Sequence, residues 1–205
     1  MSDRNTTEIN AGSMADIAFL LLIFFLVTTT LDTEIGIPKR LPEKQTHPIN
    51  VTFKEKNVLE ISINANDEIL IEGHQIIKMD MLKKLITDFI DNGAGTNMNG
   101  EKCNWCHGKK DINSSDHPEK AIIKLQTNRN TSYATYITVQ NEILNAYYEL
   151  RNNLAYLLYG ESLDKLEIEF KSNKKNKALA SKIETIKTKY PQLIFEEAPL
   201  THNMH

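Results

Sequence analysis

The chain has 205 residues, which is enough for one domain of ordinary size with an appendage and too few for two full domains. It carries 24 Lys and Arg residues against 27 Asp and Glu, so its formal net charge is −3, and this near-neutral balance argues against a protein that coats nucleic acid. Hydrophobic residues make up 40% and charged residues 25%, a composition that argues against global disorder.

Residues 9–31 form the most apolar segment and contain a single ionisable group, Asp16. Residues 17–27 within it are entirely aliphatic or aromatic. A helix needs about 20 mostly apolar residues to cross the hydrocarbon core of a bilayer. The segment therefore predicts one transmembrane helix over 9–31, preceded by a short tail of residues 1–8.

Two other interpretations of this segment are weaker. A cleavable signal peptide would need a small-residue cleavage site, but the apolar run is followed by three threonines, a leucine and Asp32. A buried core helix of a soluble domain is less consistent with residues 17–27, which are apolar in all directions and lie at the extreme N-terminus.

Residues 32–49 predict an extended tether, because Pro38, Pro42 and Pro48 oppose helix formation. The basic residues Arg4 on one side and Lys39, Arg40 and Lys44 on the other would place the N-terminus outside by the positive-inside rule, although a large following domain weakens that rule.

Residues 50–205 predict a single mixed α/β domain, so the predicted fold class is one N-terminal transmembrane helix followed by an α/β domain. A polar insertion over 91–119 interrupts it, and we expect this insertion to be dispensable for the core fold. The predicted strands are 50–53, 58–63, 68–71, 121–125, 166–170 and 193–195, with 58–63 and 68–71 forming a hairpin, and the predicted helices are 79–90 and 132–159.

Asp16, the ionisable residue inside the predicted membrane helix, is the residue of the sequence that most specifically indicates a function. An ionised Asp at the centre of a membrane helix costs about 2.5–3.5 kcal/mol on insertion scales, so such a group is usually buried against protein or a wet cavity and has a function there. Burial also raises the pKa of a carboxyl group and lets it exchange protons near neutral pH. A shallow position below the headgroups is the alternative. Because the predicted helix carries no second acid or base, a proton path would need a partner protein.

The N-terminal pattern resembles the ExbD/TolR family of biopolymer transport proteins. The family's signature is similar to a pattern in this chain: Ile9-Asn10, then five residues, then Asp16 at the start of an apolar run. The chain departs from it at Ser13, where many members carry Pro. Ile35-Gly36-Ile37-Pro38 is similar to the family's entry into its periplasmic segment. The resemblance is strong over 9–40, fair over 50–90 and 120–147, and absent over 91–119.

The resemblance implies an inner-membrane subunit of a motor driven by the proton motive force. In such a motor Asp16 carries protons inside a ring of an ExbB-like polytopic protein, and motion passes to a TonB-like energy transducer. It implies a homodimer in contact with membrane lipid, an N-terminus in the cytoplasm, a periplasmic C-terminal domain, and protons as the coupling ion with no bound cofactor. Both the ExbD role in uptake and the TolR role in envelope integrity fit it.

Cys103, Cys106 and His107 form the second constellation, in a C-x-x-C-H pattern that contains both cysteines of the chain. This pattern is the attachment sequence of c-type haem. A disulfide in an oxidising compartment is one alternative, and a zinc site with His117 as fourth ligand is another. An anchored periplasmic cytochrome or metal protein is therefore the rival function.

The sequence shows no Ser/His/Asp pattern, no Gly-rich phosphate loop and no paired carboxylates at a recognisable spacing. We therefore expect that the protein is not an enzyme. A membrane-anchored binding module whose Asp16 is incidental is the third hypothesis.

Overall fold

The structure is a computed structural model that describes residues 11–28 and 54–197. The chain divides into two units, residues 1–49 and 50–205, and each is described by itself. In the first unit, helix α1 (Ala11–Thr28) occupies most of the apolar segment. The predicted tether and the predicted strand at 50–53 lie outside the described residues.

A five-stranded mixed sheet organises the second unit, with the strand order β3-β2-β1-β4-β5. The strands are β1 (Val58–Ile63), β2 (Ile69–Ile71), β3 (Gln75–Ile77), β4 (Ile122–Thr127) and β5 (Ile194–Glu196). The pairs β1–β2 and β2–β3 are antiparallel, whereas β1–β4 and β4–β5 are parallel. Parallel pairs need long crossover connections, and helices supply them here.

The described residues of this unit, 54–197, form four α-helices, namely α2 (Met79–Ile90), α3 (Tyr133–Tyr159), α4 (Leu163–Ser172) and α5 (Lys177–Lys189). Burial alternates along β1, so that Leu59, Ile61 and Ile63 point into the core while the residues between them are half-buried. The same core includes Ile86 of α2 and Tyr147 of α3. The core therefore lies between one face of the sheet and the helices, and the predicted mixed α/β class is confirmed.

The long helix α3 is bounded by side-chain and backbone caps. The hydroxyl of Ser132 accepts a hydrogen bond from the N–H of Thr135, as an N-cap residue does. At the other end Gly160 has φ +70°, and its N–H donates to the carbonyl of Tyr156. These caps explain why the predicted helix 132–159 agrees with the structure. The predicted hairpin and the predicted helix 79–90 also agree with it.

Two assignments differ from the sequence prediction. The predicted strand at 166–170 is wrong, because these residues belong to α4, in which Leu163 and Leu166 are buried and Ile168 is exposed. The side chain of Ser162 caps this helix by accepting from the N–H of Lys165. The strand β3 was not predicted, since it has only three residues.

The insertion 91–119 packs against the domain core. The backbone N–H of Asp116 donates to Oδ1 of Asn57 at 2.7 Å, and the buried Asp116 carboxylate pairs with Nζ of Lys56 at 2.5 Å. Ser115 Oγ donates to the carbonyl of Phe89, and the side chain of Asn92 donates to the carbonyl of Ser115 at 2.7 Å. These contacts argue against the expectation that the insertion is dispensable.

Candidate functional site

Asp16 is the single ionisable residue of α1. Its side chain is exposed, and so are the apolar side chains one and two turns further along the same face. Phe19 and Leu20 are each 58% exposed, and Ile23 is 40% exposed. The carboxyl group is therefore set in an apolar helix surface that the described residues leave uncovered.

The predicted membrane span, 9–31, is longer than α1. Residues 9–10 and 29–31 lie outside the described residues. In the described part of the chain, no helix has both the length and the apolar character needed to cross a bilayer.

Cys103 and Cys106 form a disulfide within the insertion, with their Cα atoms 5.6 Å apart. Cys103 is buried, Cys106 is half-buried and His107 is exposed. Gly93 has φ +61°, and a Cβ there would stand 2.8 Å from the Cβ of Cys106. Glycine at this position therefore allows the chain leaving α2 to pass closely beneath the disulfide.

Haem attachment and zinc binding would each use the sulfur atoms of Cys103 and Cys106. In the structure these two atoms are bonded to each other. His117, the fourth residue of the zinc hypothesis, is fully buried. Within residues 11–28 and 54–197, no group of three or more His, Cys, Asp or Glu side chains is arranged to hold a metal ion. Visible absorption of the purified protein would separate haem from a disulfide.

Trp105, between the two cysteines, is the centre of an aromatic cluster. Its ring meets that of His117 edge-on, with centroids 5.5 Å apart, and Nζ of Lys189 lies 3.3 Å from the indole centroid. Nδ1 of His117 accepts from the N–H of Glu119 at 3.2 Å. Burial lowers the pKa of His117, and this outweighs the attraction of Glu119. The imidazole is therefore held neutral beneath the disulfide turn.

A cavity of about 730 Å³ lies between the hairpin strands, α2 and the insertion. Apolar side chains, among them Leu59, Ile77 and Leu85, line it, and Lys84 and Asp88 are among the charged residues of its lining. Sequence analysis did not find this cavity. The sequence contains one hint of it. Met81 is an apolar residue that lies off the predicted apolar stripe of α2, and in the structure it is 59% exposed at the cavity.

Asp16 belongs to the first unit and the disulfide turn to the second, so each predicted site is described by itself. The family described as Biopolymer transport protein ExbD/TolR matches residues 2–152. The match includes all of α1, strands β1 to β4, α2, the insertion and most of α3. No curated protein matches the chain.

Proposed function

The chain belongs to the ExbD/TolR family, and from this premise we propose that it is an inner-membrane subunit of a motor driven by the proton motive force. Family membership supports a role in biopolymer transport. In the proposed motor the helix of residues 9–31 spans the membrane with its N-terminus in the cytoplasm, the α/β domain lies in the periplasm, and Asp16 carries the proton.

The observation that carries this proposal is the position of Asp16 within α1. Phe24 and Phe25, further along the helix, are 59% and 58% exposed, and no polar side chain interrupts residues 17–27. Transfer of such a surface out of water is favourable by about 25 cal/mol per Å² of apolar area. Contact with lipid or with an apolar partner therefore stabilises the helix. In such surroundings the ionised carboxyl group is the part of the helix whose burial costs free energy.

The protonation state of Asp16 would control how the helix sits among its partners. An ionised carboxylate requires a polar or wet contact, whereas the neutral acid passes apolar surfaces at much lower cost. Moving one charge through 100 mV provides about 2.3 kcal/mol. Protons supplied from one side would then bias the direction of movement.

The proposal requires partner proteins, because a lone carboxyl group cannot pass a proton across a bilayer. We propose an ExbB-like polytopic ring around the membrane helices of a homodimer, lipid around the assembly, and a TonB-like transducer as the protein that receives the motion. Native mass spectrometry in mild detergent tests this composition, and a stable monomer without a larger partner would contradict it.

The substitution Asp16→Asn tests the motor directly. Asparagine keeps the shape and hydrogen-bonding groups but does not titrate near neutral pH. The variant should insert and assemble normally yet abolish energised uptake. Asp32→Asn, the same chemical change just beyond the apolar run, is the matched control and should retain uptake. Wild-type uptake by Asp16→Asn at normal abundance would leave the anchored binding module as the better hypothesis.

A further inference from the structure

A second recess, here named the Asp91 recess, lies beneath the disulfide turn, between the end of α2 and the side of α3. Its volume is about 170 Å³, and its lining includes Thr87, Asp91, Trp105, Asn153, Leu157 and Tyr190. We propose that this recess binds an organic cation, namely a primary ammonium or guanidinium group on a short alkyl chain. The proposal is independent of the proton-driven motor.

Asp91 gives the recess its negative charge. Its side chain is buried, with the residue 8% exposed. Oδ1 accepts from the hydroxyl of Tyr190 at 2.6 Å, and Oδ2 accepts from the backbone N–H of His107 at 2.9 Å. Among the described residues, no Lys, Arg or His side chain forms an ion pair with this carboxylate. A buried carboxylate held only by neutral donors favours the approach of a cation.

The end of α2 reinforces this preference. Asp91 is the C-cap residue of α2, and its own N–H donates to the carbonyls of Thr87 and Phe89. The C-terminus of a helix carries partial negative charge, which favours a nearby cation. The charge of the side chain and that of the helix end therefore act in the same direction.

The walls of the recess suit an alkyl cation. Trp105 and Tyr190 provide aromatic surface, and the buried leucines Leu150 and Leu154 provide an apolar floor. Nζ of Lys189 covers one face of Trp105, 3.3 Å from its centroid, so this ring offers the alkyl chain of the ligand an apolar surface and leaves the charge of the ligand to Asp91. The small volume admits one short chain and is too small for a nucleotide.

Two further features support an ammonium or guanidinium ligand. Burial and the hydrogen bond to Asp91 raise the pKa of Tyr190 well above its usual range, so this phenol stays neutral and continues to donate. Thr87 and Asn153 also line the recess, and their side chains carry oxygen atoms that can accept hydrogen bonds from the remaining N–H groups of the ligand.

The binding experiment uses the full chain in non-ionic detergent. Trp105 is the single tryptophan of the chain, so the intrinsic tryptophan fluorescence comes from a residue that lines this recess. Titration with n-butylammonium or n-propylguanidinium should give a saturable change, whereas 1-pentanol, a neutral molecule of similar size, should not. A response to the alcohol equal to that of the cations, or no response to either cation, would overturn the proposal.

Variants assign the binding to the recess. Asp91→Asn should weaken cation binding at least tenfold. Asp88→Asn, one turn earlier on α2 and facing the 730 Å³ cavity, is the matched control and should bind normally.

Asp91→Asn also disturbs the contacts of Tyr190 and His107, so a second pair of variants leaves Asp91 intact. Leu157 lines the recess and is 59% exposed, and Leu157→Arg places a guanidinium group of the chain itself there. This variant should lose binding of added cations at least tenfold with unchanged circular dichroism, whereas Leu157→Gln should bind normally. Full affinity in Leu157→Arg would contradict the proposal.

A comparison of ligands identifies the natural source of the cation. An end-blocked Gly-Lys-Gly peptide that binds at least tenfold more tightly than n-butylammonium would assign the recess to a lysine side chain of a partner protein. Equal or tighter binding of the free amine would assign it to a small amine. The matched Gly-Gln-Gly peptide should not bind, and a response to it would argue against charge recognition.

Discussion

The consecutive residues Ser115, Asp116 and His117 are all buried, although they lie in a segment whose composition indicates a solvated loop. Burial raises the pKa of Asp116, but hydrogen bonds from Lys56, Asn57 and Lys54 outweigh burial, and the net shift is downward. Polar residues are stable in such positions only when partners satisfy them. Asn57 and Asp116 are 59 positions apart in the chain, so composition and spacing could not reveal this contact.

His117 makes the stability of the domain depend on pH. Because burial lowers the pKa of His117, the unfolded chain takes up a proton before the folded chain does as the pH falls. The free energy of unfolding should therefore decrease as the pH drops below about 6.5, the ordinary value for histidine. Urea unfolding of the purified chain at a series of pH values, followed by the fluorescence of Trp105, measures this effect.

The matched variants for this prediction are His117→Gln and His74→Gln. His117→Gln should lose most of the pH dependence that begins below about pH 6.5, whereas the exposed His74→Gln should keep it. The contribution of Asp116 has the same sign, but its stabilisation is lost only below about pH 4, so it begins to act at a lower pH than that of His117. An unchanged slope in His117→Gln would show that another group is responsible.

At the scale of elements, long amphipathic segments were predictable from the sequence and short or ambiguous ones were not. The pattern of α2 repeats at helical spacing over twelve residues, and its predicted bounds agree with the structure. In α4 the apolar residues Leu166, Ile168 and Phe170 alternate as in a strand, yet Leu163 and Leu166 also share one face of a helix. The N-cap Ser162 was the local signal that favours the helix.

Two alanine substitutions in α4 distinguish the helix from the predicted strand. Leu166 is fully buried, so Leu166→Ala should reduce the free energy of unfolding by about 2–5 kcal/mol. Ile168 is 62% exposed, so Ile168→Ala should change it by less than about 0.5 kcal/mol. In a strand, both residues would lie on one face and both substitutions would be costly. Similar losses from the two variants would therefore contradict the helical assignment.

At the scale of the whole molecule, the family and the α/β class were predictable, because an Asp in an apolar segment and the order of strands and helices are local patterns. The Asp91 recess was not, since its lining comes from α2, the insertion, α3 and the segment after α5. Tyr190 and Asp91 are 99 positions apart and meet only through the fold. Neither residue lies in a recognisable motif, so no spacing rule connects them.

At the scale of the domain, hydrogen bonds within the insertion 91–119 hold its later residues against the residues that directly follow α2. The side chain of Asn92 donates to the carbonyl of Asp111 at 2.8 Å and accepts from its N–H at 2.9 Å. The N–H of Gly108 donates to the carbonyl of Asp91 at 3.1 Å, and a Cβ at Gly108 would stand 2.6 Å from the Cα of Asn92. The insertion therefore closes tightly onto the end of α2.

Deleting residues 93–115 should consequently destabilise the domain. The deletion removes Trp105 from above His117 and the hydroxyl of Ser115 that donates to the carbonyl of Phe89, and it leaves the side chain of Asn92 without its partners Asp111 and Ser115. Since a typical hydrogen bond contributes about 1 kcal/mol, the loss of several should cost at least about 3 kcal/mol. Thermal unfolding by circular dichroism should show a broad transition or none.

The matched control is the double variant Met98→Ser, Ile112→Ser, which changes only exposed side chains of the same insertion and should melt as the wild type does. A deletion variant with a sharp transition at the wild-type temperature would show that the core of sheet and helices is stable without the insertion.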